Sequence, residues 1–452
     1  MEKKLFEYDE EFVRQVSYIK RFLELMTMDN EFPVSEYKKY SDMIGLTMEE
    51  LKFLYDEDFI KEKTAQGVPF PIAIQNHHKF VRDKVEHRSY LQKEGCEPEN
   101  GLFRMWRKRQ INRCWSQMGI RNIAMIHTPI VFELTKGCSV GCSFCGLNAG
   151  KLSSIFTYND ENAKLWRDIL EKSKEIIGNA AGTGICYCAT EPLDNPHYEQ
   201  FNDIFYDVFH VFPQVTTAVA MRKPERTKAF LASSQGVIHR FSVLSKDILK
   251  QIHNYFTPEE LLLVELLPQF EEAPKNSFTK VGKNFNDDIN NHEGTICCLS
   301  GFIVNMAEKT MKIVTPCMAD KEHPTGEIVY GMERFNNAED FAGKMKSMME
   351  QFMRSTVDDE VFSFYPQFQY SRLDVGFELS IEKCFSIKFN NFRNVNHDVF
   401  GLLGDLLQKS PYSADEAAGL LLDQYGISPE LSFYAFRNLY DCGVLDHEKS
   451  LS

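Results

Sequence analysis

The chain has 452 residues, more than one compact domain usually holds, and its 43% hydrophobic and 26% charged residues are those of a globular protein rather than a disordered one. A formal net charge of −14 weighs against nucleic acid as a partner, since a phosphate backbone is bound by Lys and Arg. No run of about 18 or more apolar residues occurs and the N-terminus (Met1-Glu-Lys-Lys-Leu-Phe-Glu-Tyr-Asp) has no apolar signal region. The expectation is therefore a cytoplasmic protein with no membrane partner. In a reducing compartment its twelve cysteines should be free thiols, metal ligands or catalytic groups.

Residues 1–127 read as a helical region, with apolar positions at helical spacing in Phe12–Met26 and Leu51–Ile60. Thr47-Met-Glu-Glu50 has the spacing of a capping box. His77 and His78 are adjacent, so they cannot share a helix face as paired ligands would, and they read as structural. The basic stripe from Arg104 to Arg113 reads as a solvated helix face.

From residue 128 short apolar runs alternate with helical stretches. Pro129–Leu134 is the first predicted strand, followed by a cysteine-bearing loop and a helix near Asn159–Lys174. Gly184–Cys188, Val215–Ala220, Ile238–Val243, Leu261–Leu267 and Gly301–Met306 are the second to sixth strands, with helices near His197 and over Pro224–Ala232. Strands alternating with helices imply right-handed crossovers and a parallel sheet. The fold class predicted is α/β, a partial (β/α)6 TIM-like barrel over 128–306, with active groups at the C-terminal ends of its strands. After residue 307 the pattern loosens into an aromatic-rich segment, assigned to 307–394, in which alternation over Phe385–Phe389 suggests a strand. The tail, 395–452, is helical again over Val399–Lys409, Ser413–Gln424 and Pro429–Cys442, a small helix-turn-helix texture.

The chemistry concentrates in Thr135-Lys-Gly-Cys138-Ser-Val-Gly-Cys142-Ser-Phe-Cys145-Gly. Thiolates are soft ligands suited to iron–sulfur clusters or zinc. Three on one short loop can hold three irons of a [4Fe–4S] cube and leave the fourth open to a small molecule. Gly137, Gly141 and Gly146 let the loop turn tightly. The competing reading is a zinc knuckle, but a structural zinc wants a fourth Cys or His at similar short range, and the sequence has none there.

This Cx3Cx2C loop after the first strand resembles the signature of the radical S-adenosylmethionine (SAM) superfamily. The resemblance implies SAM bound to the open iron, reductive cleavage to a 5′-deoxyadenosyl radical, and an electron-donating reductant as partner. Phe144 stands where that family places an aromatic residue near the adenine. Ala189-Thr-Glu191-Pro192 resembles the family's Gly-Gly-Glu-Pro stretch without its two glycines, which implies a contact from Glu191 to the SAM ammonium, a charge-assisted hydrogen bond. Thr217, ending the third predicted strand, and Ser242, near the end of the fourth, resemble positions that contact SAM carboxylate or ribose.

Phe132–Gly146, Ala189–Tyr198 and Cys298–Met306 together are similar to the radical SAM peptide epimerases of proteusin-type ribosomal peptide maturation. The likeness spans roughly 128–390 and implies inversion of L- to D-residues in a precursor peptide with leader and core. It further implies a cysteine thiol on the face opposite the radical, for which Cys384 is the expected donor and Cys317 the next candidate. Cys186, Cys188, Cys297 and Cys298 read as barrel or core residues. No auxiliary cluster is expected, because the remaining cysteines are isolated or merely paired. The tail is similar to winged-helix peptide-recognition elements and is acidic, so leader docking or structural capping is expected of it rather than DNA binding. Another radical SAM peptide modification, such as C-methylation or crosslinking, and a non-catalytic zinc-binding protein stand as alternatives.

Overall fold

The computed structural model describes residues 6–28, 32–234, 236–270, 281–285, 295, 297–353, 357, 360–381, 385–391 and 397–446. Six helices come first: α1 (Glu10–Met28), α2 (Tyr37–Ile44), α3 (Met48–Leu51), α4 (Glu57–Ala65), α5 (Ile72–Tyr90) and α6 (Gly101–Met118). Thr47 caps α3 with the reciprocal bonds of a capping box, the Glu50 carboxylate reaching back to the Thr47 amide. The first five enclose a core of Ile19, Phe22, Ile44, Leu51 and Ile74. Arg21 fastens this region to a later helix and its end by donating to the carbonyls of His253 and Phe256. The sixth helix sends Phe103 and Trp106 into the main core of the sheet.

The basic stripe on α6 is only in part a solvated face: Arg104 and Lys108 are exposed, but the other arginines are not. Arg107, Arg109 and Arg113 are at most 3% exposed. Arg107 donates to the carbonyls of His127, Ile126 and Gln92, and Arg113 to Gln110, Gln117, Thr315 and the Pro316 carbonyl. A guanidinium carries five donors, and here they answer backbone carbonyls and side-chain oxygens inside the protein. Charge alone marked the stripe as exposed; the carbonyls that bury it lie on other elements.

The sheet begins with β1 (Thr128–Glu133), then the short β2 (Thr135–Lys136) and β3 (Ser154–Ile155), which pair with each other and close the base of the cysteine loop. Helix α7 (Asp160–Ile177), capped by Asn159, and α8 (Tyr198–Phe209) flank the second predicted strand. Then come β4 (Thr216–Thr217), α9 (Pro224–Ser233), β5 (His239–Val243), α10 (Lys246–Tyr255) and β6 (Val264–Pro268). Strands β4, β5 and β6 are parallel neighbours, as alternating strands and helices demand.

Two predicted strands are shorter than expected. Gly184–Cys188 makes one bridge, Ile185 to Val131, and is tied to β4 by side chains: the Tyr187 hydroxyl bonds Gln214 and Thr216. The third strand stops at Thr217 because the next amide, Ala218 N, turns to the Glu191 carboxylate instead of a neighbouring strand.

The sixth predicted strand, β7 (Leu299–Asn305), exists but sits elsewhere. It pairs in parallel with β1, not with β6, and leads into an antiparallel meander, β8 (Thr310–Pro316) and β9 (Glu327–Arg334). The order β1-β7-β8-β9 makes one sheet and β4-β5-β6 another, with Ile185 bridging toward the second. The architecture is thus mixed α/β, with no closed barrel among the described residues. Helix α11 (Ala338–Phe352) covers this sheet with Phe341, Met345, Met348 and Met349.

The remaining elements are β10 (Ser363–Phe364), β11 (Gln369–Arg372), β12 (Phe377–Ile381), β13 (Phe385–Phe389), α12 (Val399–Lys409), α13 (Ala414–Tyr425), α14 (Pro429–Asp441) and β14 (Leu445–Asp446). A three-stranded antiparallel sheet, β11-β12-β13, packs with the three helices around Phe377, Leu379, Phe400, Leu403, Leu421, Phe436 and Leu439. This core runs across the 394/395 division drawn from sequence, whereas residues 306–353 share the core of the first sheet. Among the described residues no helix is long and apolar enough to cross a membrane.

Candidate functional site

The first strand alternates cleanly. Ile130 and Phe132 enter the main core, while Val131 joins a smaller cluster with Ile303 and Val314. Glu133, on the same face as Val131, ends the strand and is buried. Its two carboxylate oxygens accept from Ala189 N at 2.8 Å and from Asn305 Nδ2 at 3.0 Å. Burial pushes this carboxyl above the usual carboxylate range, opposed by those bonds. Glu133 therefore anchors the Ala189–Pro192 stretch to the end of β1. Sequence reasoning passed over it, although a lone acid closing an apolar strand is a signal of such a strut.

Beyond β1 the chain forms the cysteine loop. Gly137 has φ +78, and a Cβ there would lie 2.3 Å from the Lys151 carbonyl oxygen, so only glycine allows this crossing. Cys138 N donates to Gly150 O at 2.9 Å, closing the loop on itself. The three thiols are half-buried. Two receive backbone amides, Val140 N on Cys138 Sγ at 3.4 Å and Ala149 N on Cys145 Sγ at 3.5 Å. Burial raises the Cys138 and Cys142 thiols, and Glu191 pushes both further up. Phe144 is half-buried between the second and third cysteines.

Glu191 and Thr217, singled out separately in the sequence, are joined here. The Thr217 hydroxyl donates to Glu191 Oε1 at 2.6 Å and accepts from Val219 N, while Ala218 N donates to Oε2 at 2.9 Å and Leu193 N to Oε1 at 3.2 Å. Glu191 is 3% exposed, and burial raises its carboxyl. Two oxygens offer about four acceptor sites, so three donors leave Oε2 able to take one more. The backbone after Glu191 is held by Arg226, which pairs with Glu199 and donates to the carbonyls of Leu193 and Asn195. Asp194 in turn accepts from Ser139 N at 2.8 Å, binding this loop to the cysteine loop.

Ser242 lies half-buried on β5, on the face of Arg240 and not of Phe241. Among the described residues no hydrogen bond joins it to Glu191 or Thr217. Cys384, the expected donor, lies outside the described residues. Cys317 is 4% exposed and comes just after β8, whose register carries it to the level of the start of β7. That is the far end of the sheet from Glu133, roughly 23 Å along seven strand residues. Cys186 packs in the main core and Cys188 in the smaller cluster with Val131 and Ile303; Cys297 is buried, but Cys298 is exposed and not a core residue.

Among the described residues, no three His, Cys, Asp or Glu side chains converge as ligands of one metal ion. The three thiols of the loop thus lie on one short turn without forming a ligand set for zinc or for a cluster.

The fold and loop define a class of mixed α/β protein with a thiol-rich loop at the C-terminal end of its first parallel strand. No protein-family model matches the chain, and no solved structure matches it. It is similar to the uncharacterized protein y4wI of Sinorhizobium fredii (strain NBRC 101917 / NGR234), with 32% identity over 465 residues, 96% of this chain and 88% of that protein. The chain belongs to the family of that protein.

Proposed function

We propose that the chain is a radical SAM enzyme, with a [4Fe–4S] cluster on Cys138, Cys142 and Cys145, acting as a peptidyl amino-acid epimerase on a ribosomally made precursor peptide. In this reading the strands from β1 through the 184–188 segment to β6 are a partial barrel, with β7 flanking β1. The observation that carries it is the cysteine loop beside a buried carboxylate: half-buried thiols, amides donating to two sulfurs, and the loop after Glu191 tied to the cysteine loop by Asp194, which accepts from Ser139 N at 2.8 Å. Amide-to-sulfur bonds are a means by which proteins tune such clusters.

Bound there, the cluster and SAM would supply a one-electron cleavage that yields a hydrogen-abstracting radical. Glu191 would accept the SAM ammonium on Oε2, its remaining acceptor, while Thr217 and Ala218 N hold the carboxylate in place. Thr217 would then act by orienting Glu191. Cys384 would return a hydrogen atom to the substrate Cα from the opposite face, its sulfur being restored by one electron and one proton from the reductant.

The test is turnover in D2O with a precursor peptide. A thiol donor exchanges with solvent, so each inverted residue gains about one mass unit. Cys384→Ala should lose that gain and still cleave SAM. Unimpaired inversion in that variant would move the donor to another thiol, of which Cys298 is exposed among the described residues. SAM cleavage with no inversion in the unaltered protein would sink the epimerase reading.

A further inference from the structure

Between β6 and β7 the described stretch Val281–Phe285 lies across the cysteine loop. Gly282 has φ +60, and a Cβ on it would fall 2.2 Å from Gly146 O and 2.5 Å from Cys145 O. Gly282 N donates to Pro324 O at 2.7 Å, which ties the stretch to the turn before β9. Lys283 then makes two bonds to the loop. Its amide donates to Cys145 O at 3.0 Å, and its ammonium donates to Cys142 O at 3.2 Å. Two of the three cysteine carbonyls are thus held by one residue.

The charges around the loop make that ammonium informative. Glu191 and Asp194 both bear on Cys138, and Glu191 also bears on Cys142. Lys283 is a cation that opposes Glu191 at Cys142, while Arg222 donates to the Ser139 hydroxyl at 3.0 Å elsewhere on the loop. A cluster on three thiolates becomes more negative when it takes an electron. A fixed positive charge a few ångströms away stabilises the reduced form more than the oxidised one.

We propose that Lys283 is a positioning residue for the cluster: it clamps the loop through Cys142 and Cys145 and raises the reduction potential of the cluster held there. This rests on the cluster reading above. Lys283 is exposed, so its influence is partly screened by salt.

The test compares the reconstituted full chain with Lys283→Gln, Lys283→Arg and Gly282→Ala, reading iron content and the midpoint potential from a redox titration followed by electron paramagnetic resonance. Lys283→Gln should hold its iron with a more negative potential, and its gap from the unaltered protein should narrow from low to high salt. Lys283→Arg should restore the potential. Gly282→Ala should shift it in the same direction as Lys283→Gln, because the strap is pushed off the loop with the lysine still present. Loss of iron from Lys283→Gln but not Lys283→Arg would also support the clamp. Equal iron and equal potential in Lys283→Gln and the unaltered protein would overturn the inference alone. Failure of the unaltered protein to form a four-iron cluster would overturn the reading beneath it.

Discussion

At the start of β1, His127 bonds Ser300 through Nδ1 at 2.8 Å and Asn122 through Nε2 at 2.9 Å, and Arg107 caps the His127 carbonyl. Ser300 and Thr315 bond each other, and Arg113 closes the group from α6. Every polar group named there is answered by another inside the protein. At the end of the same strand, Glu133 and Glu191 are buried too, but the groups beyond them open outward: three half-buried thiols and a carboxylate with an acceptor to spare. One end of the strand spends its buried polar groups on holding the sheet, and the other keeps some in reserve. In open α/β sheets ligands likewise gather outside the C-terminal ends of the strands.

The sharpest way to break the comparison is at the open end. Cys142→Ala should abolish cluster binding completely and leave the unfolding free energy of the metal-free protein unchanged to within about 0.5 kcal/mol, since the thiol is half-buried outside either core. An unfolded variant would mean that the loop holds the fold. Arg107→Ala probes the closed end. It strands one buried and two partly buried carbonyls and should cost about 3 kcal/mol in chemical unfolding, with the cysteine loop still able to bind iron. A loss below about 1 kcal/mol would show that the network is ornamental.

Glu191→Gln should weaken SAM binding by tenfold or more, about 1.5–3 kcal/mol for a lost charge-assisted bond, with iron content unchanged. Titration calorimetry or a filter assay on the reconstituted protein measures it, and unchanged affinity would return Glu191 to a purely structural role. A further effect is in pH. Burial holds His127 well below the ordinary histidine value and lowers His239 to about 4. Below about pH 6.5 the unfolded chain takes up protons that these folded imidazoles refuse, so stability falls as pH falls, continuing toward pH 4 for His239. The expected slope is about 1.4 kcal/mol per pH unit for each. A denaturant midpoint flat from pH 7.5 to 5 would contradict their neutral burial.

The two ends also differed in how far the sequence disclosed them. Cys138, Cys142 and Cys145 announce themselves by spacing, and Thr47 and Ser413 announce helix starts because a cap is a local device. The tail helices came out near their observed bounds for the same reason. The position of β7 was not legible, since pairing with β1 rather than β6 is a non-local choice that its apolar run does not encode. Strands β8 and β9 and helix α11 were passed over, although Asn337 before Phe341, Met345 and Met348 is a cap followed by helical spacing. Arg107 and Arg113 were misjudged as surface because their acceptors, backbone carbonyls for Arg107 and Thr315 and Pro316 among those for Arg113, lie on segments distant in sequence. Lys283 had no local signal at all; its meaning comes from where Gly282 lets the chain pass.

The central claim is that the open end of β1 carries a four-iron cluster. Anaerobic reconstitution with iron and sulfide, then metal and sulfide analysis of the purified full chain, tests it most directly. About four irons and about four sulfides per chain are expected, with broad absorption near 400 nm that disappears in Cys142→Ala. One tightly bound zinc per chain, with no sulfide and no such absorption, would contradict it.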